Sequence, residues 1–192
     1  MVVKALAMGA MPGETGGDGS SRPMERTMMP DDSPRKENEI TLRFVAEPAD
    51  ENLYGKVHGG AVMKWIDQAG YACATNWSGR ACVTVYVGGI RFYKPILIGH
   101  LVEVRARLIH TGRTSMHIAV DVLSRDLRTQ DAQATTHCVI VFVAQDAEGQ
   151  PVEVPPWHPQ TEMEQALERY ALRRLELSKT LELERRPYLP EW

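Results

Sequence analysis

The segment His58 to Trp77 restricts the fold more than any other part of this chain. Val62, Ile66, Ala69 and Cys73 recur at helical spacing on one face, while Ala61, Met63 and Trp65 make the opposite side apolar too. A helix that is apolar almost all round is normally enclosed by the rest of its protein. Gly79 ends it. Upstream, Ile40, Leu42 and Phe44 alternate with polar neighbours as a half-buried strand does, and Pro48 closes that run. A loop from Ala49 to Val57 follows. Downstream come four strand-like runs, Ala81 to Tyr93, Leu101 to His110, Ser115 to Ser124 and Ala134 to Ala144, separated by Pro95 and Gly99, by Gly112, and by the polar stretch Arg125 to Gln133. Gly88-Gly89 breaks the alternation of the first of these and predicts a bulge. One strand, an enclosed helix and four strands joined by short turns describe an α+β fold, an antiparallel sheet wrapped around one helix.

The flanks read differently. Residues 1–37, rich in Gly, Pro, Ser, Met and mixed charge, show no period and predict a disordered tail ahead of a domain over 38–156. After Pro155-Pro156, residues 157–192 form an extension built on a helix from Glu162 to Arg186, with Thr161 and Glu164 spaced as a capping box. Met163, Leu167, Tyr170, Leu177 and Leu181 make its apolar stripe, interrupted by Arg174. Its charges cover the other faces, so it docks on its own domain or on another subunit.

Composition excludes several function classes. A net charge of −3 gives no surplus of Lys and Arg with which to neutralise phosphates, so nucleic acid is not an expected partner. No stretch reaches the roughly 18 apolar residues of a membrane span, and the opening residues make a poor signal peptide, so the expected location is the cytoplasm. Cys73, Cys82 and Cys138 lack CxxC spacing and lie in apolar stretches, as buried reduced thiols do. The six histidines, at 58, 100, 110, 117, 137 and 158, show no HxxxH or HxxEH pattern, and no metal or separate cofactor is expected.

Asp67 is the residue that needs a reason. It is the only carboxylate between Asn52 and Val102 and stands mid-helix among apolar neighbours, where aspartate is expensive to bury. A salt bridge to Lys64 is the structural explanation; an acid or base is the chemical one. Gly55, His58, Gly59 and Gly60 precede or open the helix, and paired glycines suit a ligand approaching backbone N–H groups that can polarise a carbonyl. Gly60 and Asp67 lie two turns apart, about 10 Å along the axis. One carbonyl cannot span them within a subunit, whereas an acid from one subunit can face the glycines of another. Lys56, Lys64, Arg80, Arg91 and Lys94 give the same window a local basic surplus, and Arg113 and Thr114 add phosphate-compatible donors.

The stretch Asn52-Leu-Tyr-Gly-Lys-Val-His-Gly-Gly-Ala-Val-Met-Lys-Trp-Ile-Asp67 resembles the helix motif of hotdog-fold acyl-CoA thioesterases, most closely the cytosolic acyl-CoA hydrolase group. The likeness continues in Val83-Thr84-Val85, Arg91-Phe-Tyr-Lys-Pro95, Gly112-Arg-Thr-Ser115 and Phe142-Val-Ala-Gln-Asp146, over roughly residues 39–156. The resemblance implies an acyl-CoA substrate, a homodimer with two sites at the interface, and often a hexamer of three dimers. It implies that Asp67 is general base or nucleophile, that Asn52 positions water or substrate, and that the backbone of Gly60 polarises the thioester carbonyl. Substrate contacts implied with them are His58, Gly59, Thr84, Arg91, Lys94, Arg113, Thr114 and Ser115. His100 departs from the family, which has aspartate there; the tail and the long C-terminal helix also exceed its core.

Competing readings fare less well. A hotdog hydratase needs a histidine soon after the aspartate, and none occurs before His100. A serine hydrolase lacks its GxSxG elbow. The rival of another class is a non-catalytic acyl-CoA sensor on the same fold, since fold alone never proves function. Tyr71, Trp77 or Met63 are the residues placed to set the depth of an acyl tunnel.

Overall fold

The central helix forms where the apolar period changes. In the computed structural model, which describes residues 37–129 and 131–188, it runs from Gly59 to Ser78 as α1. His58 caps its start by accepting the Gly60 N–H, and Gly79 ends it at φ 65°, its own N–H closing on the Thr75 carbonyl. The strands are β1 (Glu39–Val45), β2 (Ala81–Phe92), β3 (Leu101–Thr111), β4 (Ser115–Arg125) and β5 (Ala132–Gln145), and a second helix, α2, spans Glu162–Arg185. The expected tail over 1–37 lies almost entirely outside the described residues.

All strand pairs are antiparallel, in the order β1-β3-β4-β5-β2. This is the hotdog architecture. Val102, Val104, Ala106 and Leu108 of β3, with Ile118, Val120 and Val122 of β4, turn alternate side chains toward α1 and are fully buried there. Gly70 lets the helix settle on the sheet: a Cβ at that position would stand 2.8 Å from Phe142 Cε2 and 3.0 Å from Ile140 Cγ2. The core takes in Val154 and Trp157 beyond β5. Cys73, Cys82 and Cys138 are buried as free thiols, and burial pushes those of Cys73 and Cys138 up to about 12.

Enclosure of α1 is one-sided, which corrects the expectation. Trp65, Ile66, Ala69 and Cys73 are buried, but Met63, Lys64, Asp67, Gln68 and Tyr71 are exposed in the single chain. Beside that flank runs β2, the sheet edge, with Val83, Val85, Tyr86 and Val87 each more than a third exposed. A long apolar edge strand, beside a helix flank that exposes Met63 and Tyr71, is a surface that soluble proteins ordinarily cover. The expected bulge is present: β2 slips register against β5 between Gly88 and Arg91, with Gly89 at φ 58°. Among the described residues, no helix is long and apolar enough to cross a membrane.

On the other face of the sheet, α2 packs through Leu167 and Ala171 onto Ile109, Ala119 and Val139, and His110 Nδ1 meets Glu168 Oε1 at 3.2 Å. Its docking face is therefore rotated from the predicted stripe: Met163, Leu177 and Leu181 are about half or more exposed. The capping box is as expected, with Glu164 N–H on Thr161 Oγ1 at 3.2 Å and Thr161 N–H on Glu164 Oε2 at 3.1 Å. Thr161→Ala should cost about 1 kcal/mol, read as faster amide exchange in the first turn of α2 with the sheet unchanged.

Candidate active site

Asp67 points out of α1 onto the open flank, and β2 comes alongside it. Thr84 Oγ1 donates to Asp67 Oδ1 at 2.6 Å, a short, charge-assisted contact that fixes the carboxylate's rotamer. No ion pair to Lys64 forms, so the simplest structural explanation of this acid falls away. The carboxylate is exposed in the single chain, not buried as its apolar neighbours suggested. Its second oxygen has no hydrogen-bond partner among the described residues.

Two turns away, the helix N-terminus gathers a second group. Gly60 N–H donates to His58 Nδ1 at 3.0 Å, and Ala61 N–H and Val62 N–H both turn to the His58 carbonyl. An incoming carbonyl oxygen can reach Gly60 N–H only if the imidazole swings aside. Asn52 Oδ1 accepts from Tyr54 N–H at 2.8 Å and Lys56 N–H at 3.3 Å, closing a loop whose turn needs Gly55 at φ 71°. Those two backbone donors identify which end of the amide is oxygen, leaving the Asn52 NH2 group as the donor free to face a ligand.

Asn52, Gly59, Val62, Phe92, Lys94 and Ile96 surround a cavity of about 320 Å³. Asn52, Tyr54, His58 and Gly59 border a wider hollow on the neighbouring surface. Phe92 entered the sequence reading only as part of the Arg91-Phe-Tyr-Lys-Pro95 likeness, with no role of its own. Its ring lies 3.7 Å from where a Gly59 Cβ would stand, and it walls the mouth of the cavity.

The structure thus brings the predicted residues together in two groups, Asp67 with Thr84 and Asn52 with His58, Gly59, Gly60 and Lys94. Arg91 sits exposed on β2 opposite His137. The β3–β4 turn stands apart. Arg113 pairs with Glu153 at 3.7 Å, Thr114 gives its carbonyl to Ala144 N–H, and Ser115 faces the α2 side of the sheet. Ser115 is therefore separated from Asp67 by the sheet within one chain, because its neighbour Met116 takes the inward position. His100 bonds Ser124 Oγ at 3.0 Å, a structural role. Among the described residues no three His, Cys, Asp or Glu side chains gather as metal ligands do.

Comparison with known proteins supplies the family. The sequence profile of the thioesterase superfamily matches residues 54–130. VdlD of Helicobacter pylori is 31% identical over 140 residues, covering 72% of this chain and 79% of VdlD. The crystal structure of an apo-hexameric acyl-CoA thioesterase aligns with a TM-score of 0.72 at 33% identity, over 74% of this chain and 92% of that one. The acyl-CoA hydrolase of Staphylococcus aureus, solved with butyryl-CoA, CoA and CoA disulfide, aligns at 0.73 with 26% identity, over 79% and 93%. Alanine variants of that hydrolase have been solved at an aspartate, at an asparagine 15 positions before it and at a threonine 17 positions after it. The same spacings separate Asp67 here from Asn52 and Thr84. The chain belongs to the thioesterase superfamily, among its hotdog-fold acyl-CoA thioester hydrolases.

Proposed function

We propose that this chain hydrolyses acyl-CoA to a free acid and CoA at sites shared between two copies, with Asp67 from one facing Asn52 and the α1 N-terminus of the other. The observation that carries this reading is Asp67, held by Thr84 on the uncovered flank beside the β2 edge. A second copy covering that flank brings the two groups together across the interface, as the separation along α1 requires. Trimerisation of such dimers is proposed with it, the solved thioesterase above being hexameric.

The chemistry follows from where charge develops. Attack on the thioester carbonyl places negative charge on its oxygen, and Gly60 N–H at the positive end of α1 stabilises it once the His58 imidazole turns away. Asp67 either removes a proton from water, which then attacks, or attacks directly to give a mixed anhydride that water cleaves. In both routes the C–S bond breaks and CoA leaves as the thiol after protonation. The acid takes its new oxygen from water in the first route and from Asp67 in the second, where water opens the anhydride at the Asp67 carbonyl. Single turnover in isotopically labelled water separates them: label enters the released acid in the first route and the Asp67 carboxylate in the second. Asn52 offers its NH2 group to the water or the carbonyl. Lys94 and Arg91, with Arg113, Thr114 and Ser115 contributed from a neighbouring surface, suit the phosphates of the CoA arm.

The deciding experiment is thiol release from a panel of short, long and aromatic acyl-CoAs, with sedimentation to give the assembly. Turnover by an oligomer supports the reading; tight CoA-ester binding with no turnover would sink it and favour a sensor. Thr84→Val should lower kcat about 10- to 100-fold with KM little changed, since it removes a hydrogen bond to a charged group without touching the substrate. An equal rise in KM would make Thr84 a substrate contact instead.

A further inference from the structure

Two anomalies in the sequence meet on the opposite face of the sheet from Asp67. Arg174 interrupts the apolar stripe of α2, and Gly88-Gly89 interrupts the alternation of β2. The guanidinium lies on the glycine bulge: a Cβ on Gly88 would stand 2.7 Å from its Nη2, and one on Gly89 2.8 Å. Any larger residue at the bulge would displace it. Nη1 donates to the Tyr170 hydroxyl at 3.1 Å, and the group lies 5.5 Å from the centre of that ring. Nε is buried and has no hydrogen-bond partner, and among the described residues no carboxylate pairs with Arg174. A partly desolvated cation without an anion is costly to hold and asks for one.

Arg174 borders a groove of about 620 Å³ between α2 and the outer face of β2, β5 and β4, a volume within the range of about 300–1,000 Å³ that small ligands occupy. Val85, Tyr86, Val139, Val141, Leu175 and Leu183 make its walls apolar. Lys179 and Arg186 join Arg174 along it, against a single acid, Glu182, which already faces Arg185 at 3.8 Å. His117 also lines the groove and is neutral near pH 7, because burial, helped by the charge of His110, pushes its imidazole down to about 4. The groove therefore combines apolar walls with a surplus of cations spread along its helix side, of which Arg174 has no direct carboxylate partner, Asp121 being reached only through Tyr170 and His137.

We propose that this groove is a second ligand site, which holds a free long-chain carboxylate with its carboxylate on Arg174 and its chain along the apolar walls. The identity of the ligand rests on the hydrolase reading, since such an acid is what hydrolysis of a long acyl-CoA releases. The site is on the face of the sheet away from Asp67, so occupancy reports product without filling the place where it is made.

The test is calorimetric titration of the full chain with hexadecanoate in the presence of saturating CoA, followed by photolysis of a diazirine-bearing hexadecanoate. The expected result is one saturable site per chain, with crosslinks in α2 or β2. Arg174→Gln should weaken it about 10- to 100-fold, the loss of one charge-assisted hydrogen-bonding group. Ser178→Trp, which narrows the groove from the helix side, should give a similar loss, and hexadecanol should bind far more weakly than the acid. Hexadecanoyl-CoA binding at Arg174 in place of the free acid would reassign the headgroup and overturn the proposal. So would crosslinks confined to α1, unchanged affinity in both variants, or a change of oligomeric state in the variants with no acid bound, which would give the groove to a second copy. Thiol release is measured on the same samples. Hydrolysis without acid in the groove removes only this inference, whereas acid in the groove without hydrolysis removes only the hydrolase reading.

Discussion

Asp67→Asn should abolish nearly all thiol release, lowering kcat about 10²- to 10⁴-fold, while the fold and the assembly survive. The magnitude is that of losing a positioned general base, and a nucleophile's loss would be at least as large. Amide and carboxylate have almost the same shape, and the Asn side-chain oxygen still accepts from Thr84 Oγ1, now 2.6 Å from the acid. The exposed position of Asp67 in the single chain removes the usual reason for a structural collapse. What disappears is the basic lone pair and the charge. Acyl-CoA affinity should change little, so the loss falls in kcat. The same variant tests whether sites are shared. After subunit exchange with Asn52→Ala chains, half of the dimers in an equal mixture are hybrids, and each hybrid has one site with neither defect. Activity should recover to about a quarter of wild type. No recovery would place Asp67 and Asn52 in the same chain's site and remove the interface from the mechanism. Retention of full turnover by Asp67→Asn would remove Asp67 itself.

The elements were legible because their signals are local. The change of period at His58, the αL stop at Gly79 and the capping box at Thr161 each depend on a few neighbouring residues, and each boundary lies within about two residues of its expected place. Asp67 stood out for the same reason, as one acid in an apolar helix. What was hidden is non-local. That Thr84 would meet Asp67 follows only from the strand order, which returns β2 to the far edge beside β5 and leaves it next to the open flank of α1. Exposure of that flank was unreadable from apolar content alone, because the sequence pattern of a helix does not say whether its own chain or a second copy covers it. Ser115 entered with Arg113 and Thr114 through the family resemblance, and strand alternation places it on the α2 side of the sheet within one chain, which the resemblance alone did not say. The docking face of α2 was legible only in part: Leu167 of its stripe packs on the sheet, while Met163, Leu177 and Leu181 stay open in the single chain. The helix settles beside Leu167 through Ala171, small enough for close approach to Ile109 and Val139, with Arg174 laid on the glycine bulge.

Phe142→Ala should cost about 3–5 kcal/mol, among the largest losses a single core substitution gives. Phe142 is fully buried in the layer between α1 and the sheet, and its ring is what Gly70 faces, at 2.8 Å from a would-be Cβ. Removing the ring leaves a cavity under the helix that Gly70, having no side chain, cannot fill. Chemical denaturation at fixed protomer concentration measures the loss, since an oligomer's apparent stability moves with concentration. The effect reaches the site because Phe142 pairs with Thr84 across β5 and β2. The height of α1 above this row sets whether Thr84 can reach Asp67, so turnover should fall in Phe142→Ala even where the protein remains folded. Gly70→Ala perturbs the same contact from the opposite side. It gains about 1 kcal/mol of helix propensity but overpacks Phe142 and Ile140, at about 1–3 kcal/mol, for a net loss. If one packing contact sets the helix height, combining the two substitutions must cost less than their sum, as the alanine methyl enters the space the ring vacates. Additivity within about 0.5 kcal/mol would show instead that Gly70 and Phe142 act independently and that the seat of α1 is fixed elsewhere.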